Sequence, residues 1–120
     1  MKLYESGEMY LETILEISKR TGSVRSVDIV TEMNLAKSTV SESVKHLKER
    51  GYIEVDKSGY ITLTKQGKII AEKIAERHGV LTEFLLSIGV SNEVAEKDAC
   101  RIEHIISDET FECIKSTVKK

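Results

Sequence analysis

The sequence contains no proline and no tryptophan, and aromatic residues make up only 5% of its 120 positions. Without proline, no helix interior is broken by a missing backbone N–H, and the sparse aromatic residues also favour helix. No apolar run is long enough to cross a bilayer, and the segment Met1-Lys2-Leu3-Tyr4-Glu5 lacks the apolar core of a signal peptide. We therefore expect a small cytoplasmic protein with no membrane partner.

Cysteine is scarce and charge is unevenly spread. The two cysteines, Cys100 and Cys113, are expected to stay reduced in a cytoplasmic chain rather than to pair. Residues 36–80 carry nine Lys/Arg and six Asp/Glu. By contrast, residues 1–35 carry four Lys/Arg and six Asp/Glu, and residues 81–120 carry five Lys/Arg and eight Asp/Glu. The middle third can therefore face phosphates, and the acidic ends suit a cation.

Apolar spacing predicts a helix, a short helix, a turn, a third helix and a hairpin in the first 64 residues. The first helix covers residue 4 to about residue 20. Ser26 is expected to cap the second helix, the turn is Asn34-Leu35-Ala36, and the third helix ends at Gly51. The expected inner-face residues are Val27, Val30 and Met33 on the second helix and Val40, Val44 and Leu47 on the third.

This order of elements is that of a winged helix-turn-helix, in which the third helix enters the major groove of DNA. The wing is the hairpin around Lys57-Ser58-Gly59. The candidate DNA-binding residues can donate to phosphates or touch base edges, and the carboxylate among them can accept from a cytosine amine. They are Lys37, Ser38, Thr39, Ser41, Glu42, Lys45 and Lys57.

The second half of the chain is predicted to be helical. Thr64 caps a long helix that reaches about Ile88, and the last helix begins near Ser107. Ser91 caps a helix between them, with an expected inner face of Val94, Ala95, Cys100 and Ile102. The predicted fold is thus mainly α with a small β-hairpin, divided into a DNA-binding domain over residues 1–64 and a helical domain over residues 65–120.

Cys100, Glu103 and His104 stand at i, i+3 and i+4, so on a helix their side chains leave from one face. A thiolate, a carboxylate and an imidazole at one point suit a borderline-soft divalent transition metal. Met9 and Glu12 form a second i, i+3 pair. Each residue alone is more often a core or surface residue, but together they indicate a metal site, and a metal site beside a DNA-binding domain indicates a metal-sensing regulator.

These residues resemble the metal-dependent transcriptional repressors that include the diphtheria toxin repressor and the manganese transport regulator. The resemblance covers nearly the whole chain. It implies a winged helix followed by a helical metal-binding and dimerisation region, in a homodimer that binds double-stranded operator DNA. The segments that carry it are Glu8-Met9-Tyr10-Leu11, Ser38-Thr39-Val40-Ser41, Leu63-Thr64-Lys65-Gln66-Gly67, Arg77-His78, and Cys100-Arg101-Ile102-Glu103-His104 followed by Ser107-Asp108.

The resemblance also implies ligand positions. The iron-type pattern matches Met9, Cys100, Glu103 and His104, and the manganese-type pattern adds Glu12 and His78 to the shared pair Glu103 and His104. The ancillary site of the iron-type proteins is not expected in its usual form, because Thr82 and Glu96 replace two of its ligands; His78 with Glu96 or Glu83 can build a variant. The SH3-like domain of some relatives has no counterpart before Lys120.

Sulfur ligands favour Fe(II), Co(II), Ni(II) or Zn(II), whereas Glu12 and His78 accommodate Mn(II), so Fe(II) or Mn(II) is expected. We expect metal binding to remove repulsion between the acidic ligands and to narrow the range of orientations that the two recognition helices of a dimer adopt.

The alternatives are a winged-helix regulator that responds to a redox or other non-metal signal through Cys100, and a protein-binding helical module. An enzyme is disfavoured, because no oxyanion hole or third orienting group is visible.

Overall fold

The computed structural model describes residues 5–118, which form six helices and one two-stranded antiparallel sheet. One compact unit ends at Glu72 and a second begins at Lys73, within the fourth helix. The predicted mainly α fold with a β-hairpin is confirmed; the predicted helix start at residue 4 lies outside the described residues. The elements are α1 (Glu5–Thr21), α2 (Ser26–Met33), α3 (Lys37–Glu49), β1 (Ile53–Val55), β2 (Ile61–Leu63), α4 (Lys65–Ser87), α5 (Asn92–Ile102) and α6 (Asp108–Val118).

The N-terminal unit is built around α1, which packs against α2 and β2, while α3 packs against α2 and β1. The fully buried side chains of its core include Leu11, Ile14 and Ile17 of α1. Their spacing of three residues keeps them on one stripe of the helix. None of the helices within residues 5–118 combines the length and the apolarity needed to cross a membrane.

The third helix has the orientation that its sequence predicts. Val40, Val44 and Leu47 are all buried, which turns the opposite face of α3 outward. Asn34 ends α2 in the left-handed conformation, with φ 54° and ψ 49°, and so redirects the chain into α3. Asparagine is one of the few residues other than glycine that adopt this conformation at low cost.

The prediction for α2 is wrong at two positions. The N-cap residue is Arg25 rather than Ser26, and the Arg25 backbone N–H donates to the Asp28 carboxylate at 2.9 Å. Val27 is 58% exposed, whereas Ile29 is fully buried. Half of the residues in this short helix are apolar, so spacing alone could not tell which side faces the core.

The wing is tied to the segment that precedes α2. In its antiparallel register Ile53 faces Leu63 and Val55 faces Ile61. The Ile61 N–H donates to the Val24 carbonyl at 2.7 Å, and the Arg25 guanidinium donates to the Ser58 carbonyl at 2.6 Å. The tip of the wing is therefore held by side-chain and main-chain hydrogen bonds, as well as by the hairpin itself.

The helices of the C-terminal unit begin where the sequence predicts but do not all bury the expected residues. The Ser107 hydroxyl accepts from the Thr110 N–H at 3.2 Å and starts α6. On α5 the buried residues are Ala95 and Ala99, whereas Val94 is 46% exposed, which contradicts its predicted place on the inner face. Small side chains on the inner face of a helix allow close packing, and the larger valine falls outside that face.

Gly67 is required by a close approach to the wing. A Cβ at Gly67 would lie 2.0 Å from the Tyr52 carbonyl oxygen, which itself accepts from the Thr64 N–H at 3.1 Å. We expect Gly67→Ala to lower the free energy of unfolding by about 1–3 kcal/mol, because the Tyr52 backbone must shift. Urea unfolding followed by circular dichroism measures this change.

Gly79 in the same helix is the matched control, because nothing lies within 4 Å of a Cβ built there. Gly79→Ala is expected to raise the free energy of unfolding by about 0.5–1 kcal/mol, the usual gain when alanine replaces a glycine inside a helix. Similar effects of the two substitutions would contradict the steric role given to Gly67.

Candidate functional site

The structure brings Cys100, Glu103 and His104 together. One potential ligand atom from each lies within 4.8 Å of the others. Cys100 is in the last turn of α5, Glu103 is the C-cap with φ −58° and ψ −25°, and His104 is in the turn that follows. The helix thus ends earlier than the i, i+3, i+4 argument assumes, but the helical backbone angles of Glu103 keep its side chain beside Cys100.

The acidic member of this cluster is deeply buried. The Glu103 side chain has no exposed surface, and neither has the side chain of His104. His104 Nε2 lies 3.3 Å from Glu103 Oε1. Burying a carboxylate is costly unless positive charge or hydrogen-bond donors surround it, so this position requires compensation.

His78 of α4 supplies part of that compensation. Its Nδ1 lies 2.8 Å from Glu103 Oε2, and its Nε2 lies 2.8 Å from Glu96 Oε2. The pKa of His78 is raised from 6.5 to about 9, mainly by the hydrogen bond to Glu103. Burial lowers this pKa, and the hydrogen bond to Glu96 raises it further. In the metal-free protein His78 is therefore an imidazolium at neutral pH, held between two carboxylates.

The donor set fits a divalent transition metal. Two ligands of one such ion lie roughly 3–4.5 Å apart, given metal–ligand distances of about 2.0–2.3 Å. The ligand atoms of Cys100, Glu103 and His104 are already nearly that close. A thiolate, an imidazole and a carboxylate together suit borderline-soft ions rather than Ca²⁺ or Mg²⁺.

The other predicted ligands lie on α1, in the N-terminal unit. Met9 and Glu12 are one helical turn apart, as their spacing predicts, and both side chains are partly exposed. Their role as ligands stays a prediction. Of the residues considered for an ancillary site, Glu96 contacts His78, Glu83 is exposed and Thr82 is buried.

Arg77 is a residue of this region whose role sequence reasoning missed. It is only 6% exposed, and its guanidinium donates to the Glu103 carbonyl at 3.1 Å. The sequence marks Arg77 only as the neighbour of the candidate ligand His78. That position is the one local sign of a role near the cluster, and the sequence does not show in which direction the Arg77 side chain points.

The predicted DNA-binding residues form the outward side of α3 and the tip of the wing. The α3 residues are opposite the buried face, and α3 begins after Ala36 without a side-chain cap, so its first N–H groups remain available to an acceptor. Glu42 Oε1 lies 3.8 Å from His46 Nε2. All seven residues are exposed: Lys37, Ser38, Thr39, Ser41, Glu42, Lys45 and Lys57.

The raised pKa of His78 predicts a pH dependence in the metal-free protein. Because the folded-state pKa of about 9 exceeds the usual 6.5, His78 contributes stability that is complete below pH 6.5 and is lost as pH rises through about 9. Glu96→Gln is expected to lower the pKa of His78, since one of its two carboxylate partners becomes neutral. NMR titration of the imidazole measures this pKa.

Glu93 provides the control, because it is exposed, one turn before Glu96, and paired with Lys97 at 3.4 Å. Glu93→Gln should leave the pKa of His78 unchanged. An unchanged pKa in Glu96→Gln as well would contradict the pairing of Glu96 with His78.

Comparison with known proteins agrees with this arrangement. Residues 2–61 match the N-terminal DNA-binding domain of iron-dependent repressors, and residues 64–120 match the metal-binding and dimerisation domain of the same repressors. The transcriptional regulator MntR of Escherichia coli O6:H1 is 33% identical over 111 residues, which make up 92% of this chain and 72% of that protein.

Two solved structures are also similar. The manganese regulator SloR superposes with a TM-score of 0.83 and 28% identity, over 99% of this chain and 55% of that one. A manganese-dependent transcriptional repressor in complex with manganese superposes with a TM-score of 0.86 and 26% identity. This match covers 94% of this chain and 52% of that one. The chain thus spans about half the length of these two proteins.

These matches confirm the predicted resemblance, the winged helix followed by a helical metal-binding domain, and the assignment as a regulator rather than an enzyme. Both halves of the sequence are covered by models of one family, in the order that the structure shows. The chain belongs to the iron-dependent repressor family of metal-dependent transcriptional regulators.

Proposed function

We propose that this chain represses transcription by binding operator DNA as a homodimer, with higher affinity when a divalent transition metal occupies the cluster around Glu103. The observation that carries the proposal is a buried carboxylate with a thiol and an imidazole within 4.8 Å of it, in the half of the chain matched by the metal-binding domain. The outward residues of α3 in the other half provide the surface for DNA.

Each ligand has a distinct contribution. Cys100 would supply a thiolate, Glu103 a carboxylate and His104 an imidazole. His78, whose Nδ1 lies 2.8 Å from Glu103 Oε2, would join them after releasing its proton to solvent. For Met9 and Glu12 the support is the family pattern. A divalent cation, when bound, supplies the positive charge that a thiolate and a carboxylate at one point require.

The proposed metal is Fe(II) or Mn(II), and Co(II), Ni(II) and Zn(II) are expected to bind as well. Two similar proteins, SloR and the repressor solved with manganese, are named as manganese proteins. Cys100 adds a sulfur donor, which shifts the preference of the site from Mn(II) towards Fe(II) and the later metals. The metal available in the cell then decides which ion is used.

We assign the two domains the functions that the sequence predicts: residues 1–64 bind DNA, and residues 65–120 bind metal and form the dimer. A two-fold homodimer presents two copies of α3 to the two halves of a palindromic operator. The proposed location is the cytoplasm, where operator DNA and reduced thiols are both found.

The homodimer interface is proposed to include the exposed apolar residues Leu86, Ile88 and Val94, which lie around the connection between α4 and α5. They fall in the region matched by a dimerisation domain, so a second copy of the chain is the expected occupant. Burial of such side chains is favourable at about 25 cal/mol per Å². A monomer in sedimentation equilibrium at micromolar concentration would contradict this interface.

The two cysteines give a direct test of the metal site, because Cys100 belongs to the cluster and Cys113 is an exposed residue of α6. An operator is first selected from random-sequence duplexes by the metal-loaded wild-type chain. Under reducing conditions, metal is expected to raise wild-type affinity for this operator by roughly 5–150-fold. Cys100→Ser should lose most of this increase and Cys113→Ser should keep it. Equal operator affinity with and without metal in the wild type would exclude the proposal.

Lys45 tests the DNA-binding face of α3. If its ammonium neutralises a phosphate, Lys45→Ala weakens binding to all sequences and reduces the slope of log affinity against log salt concentration by about one unit. The control is Lys97→Ala, an exposed lysine of α5 that lies 3.4 Å from Glu93. Fluorescence anisotropy over a range of salt concentrations measures both; an unchanged slope for Lys45→Ala would contradict the contact.

A further inference from the structure

Arg77 is a buried cation beside the candidate metal ligands, and its guanidinium holds three points of the chain. Nη1 donates to the carbonyl of Glu103 at 3.1 Å and to the carbonyl of Ile106 at 2.8 Å, and Nη2 donates to the Asp108 carboxylate. The same group lies over the ring of Phe111, 5.4 Å from its centroid. The planar guanidinium fixes the directions of these donors, which an ammonium would not.

The segment that Arg77 holds is the one that carries two proposed ligands. The helix α5 ends at Ile102, and the turn over residues 103–107 leads into α6. The carbonyls of Glu103 and Ile106 bracket His104. The Glu103 carbonyl is at the C-terminal end of α5, where carbonyls lack partners within the helix, and the guanidinium satisfies it. The bond to Ile106 ties the far side of the turn to the same side chain.

Arg77 and His78 are neighbours on α4 and hold Glu103 from two ends. Arg77 binds its main-chain carbonyl, whereas His78 Nδ1 lies 2.8 Å from its carboxylate. The contact made by His78 must change when both side chains become ligands. The contact made by Arg77 involves only the backbone, so it can persist in the metal-bound state and keep the turn in place.

We propose that Arg77 is a positioning residue of the metal site, which fixes the turn carrying Glu103 and His104 before the metal arrives. The inference rests on the proposed function, since it requires this cluster to bind metal. Without the guanidinium, part of the binding free energy has to order the turn, so affinity for metal falls in a chain that still folds.

Arg77→Lys is the decisive variant, because lysine keeps the positive charge near Asp108 but cannot bridge the two carbonyls and the carboxylate. Phe111→Leu is the control, because it removes the ring under the guanidinium and leaves every donor and acceptor in place. Co(II) alone is the probe, titrated into the full chain under anaerobic, reducing conditions and followed by its absorption spectrum. Thermal unfolding and hydrogen exchange of the 103–107 amides are measured in the metal-free proteins.

We expect Arg77→Lys to bind Co(II) about 10–100-fold more weakly than the wild type, the usual effect of losing a group that orients metal ligands. The amides of residues 103–107 should exchange faster in this variant. Phe111→Leu is expected to lower the melting temperature but to keep the wild-type affinity for Co(II). Wild-type affinity in Arg77→Lys, or equal losses in the two variants, would overturn the inference.

Two further outcomes are informative. If Arg77→Lys does not fold, Asp108→Asn is the variant to measure, because Asp108 is an exposed residue that accepts a hydrogen bond from the same guanidinium. Several-fold weaker Co(II) binding by Asp108→Asn supports the inference, and unchanged Co(II) binding overturns it. If the wild type binds no Co(II), or if Cys100→Ser binds it equally well, the proposed function itself fails and the metal role of Arg77 fails with it. Faster exchange in metal-free Arg77→Lys would then show only a structural role.

Discussion

A carboxylate without exposed surface is the constraint on which the C-terminal unit depends. Glu103 could not stay ionised in that position without nearby donors, because the loss of hydration costs several kcal/mol. His78 meets this demand in the metal-free protein as an imidazolium 2.8 Å away. In the proposed metal-bound state a divalent cation would take over the role that the His78 proton has here. Because that proton would have to leave, the proposal ties affinity for metal to pH.

The N-terminal unit depends on apolar packing and on hydrogen bonds to main-chain carbonyls, rather than on a buried ion pair. Three buried side chains orient α3, and the wing is held by the Val24 carbonyl, by Arg25 and by the close approach of Gly67 to Tyr52. These contacts leave the polar side of α3 and the turn at Lys57 exposed. A surface that must fit the grooves of DNA gains from such rigidity, since little has to be ordered when it binds.

The elements that local chemistry decides are those that the sequence predicts correctly. The α3 stripe, the hairpin around Lys57-Ser58-Gly59 and the caps Thr64 and Ser107 follow from spacing and turn residues within a few positions. Besides the cap of α2, the wrong predictions are the inward faces given to Val27 and Val94, apolar residues on short helices where several faces offer similar apolar area. Contacts with other elements select among these faces, and a local pattern does not contain that information.

The amino-acid sequence by itself determined the order of the elements, the face of α3 that is buried, and the thiol, carboxylate and imidazole spaced along the end of α5. Only the tertiary structure decided that His78 and Glu96 from distant positions pair with each other, that Glu103 loses all contact with water, and that Arg77 points at the turn rather than into solvent. The physical reason is that spacing along a helix fixes direction within one turn, whereas burial and long-range pairing depend on which helices pack together. A long, flexible cation such as arginine can reach either solvent or a buried carbonyl from the same backbone position, and its surroundings make the choice.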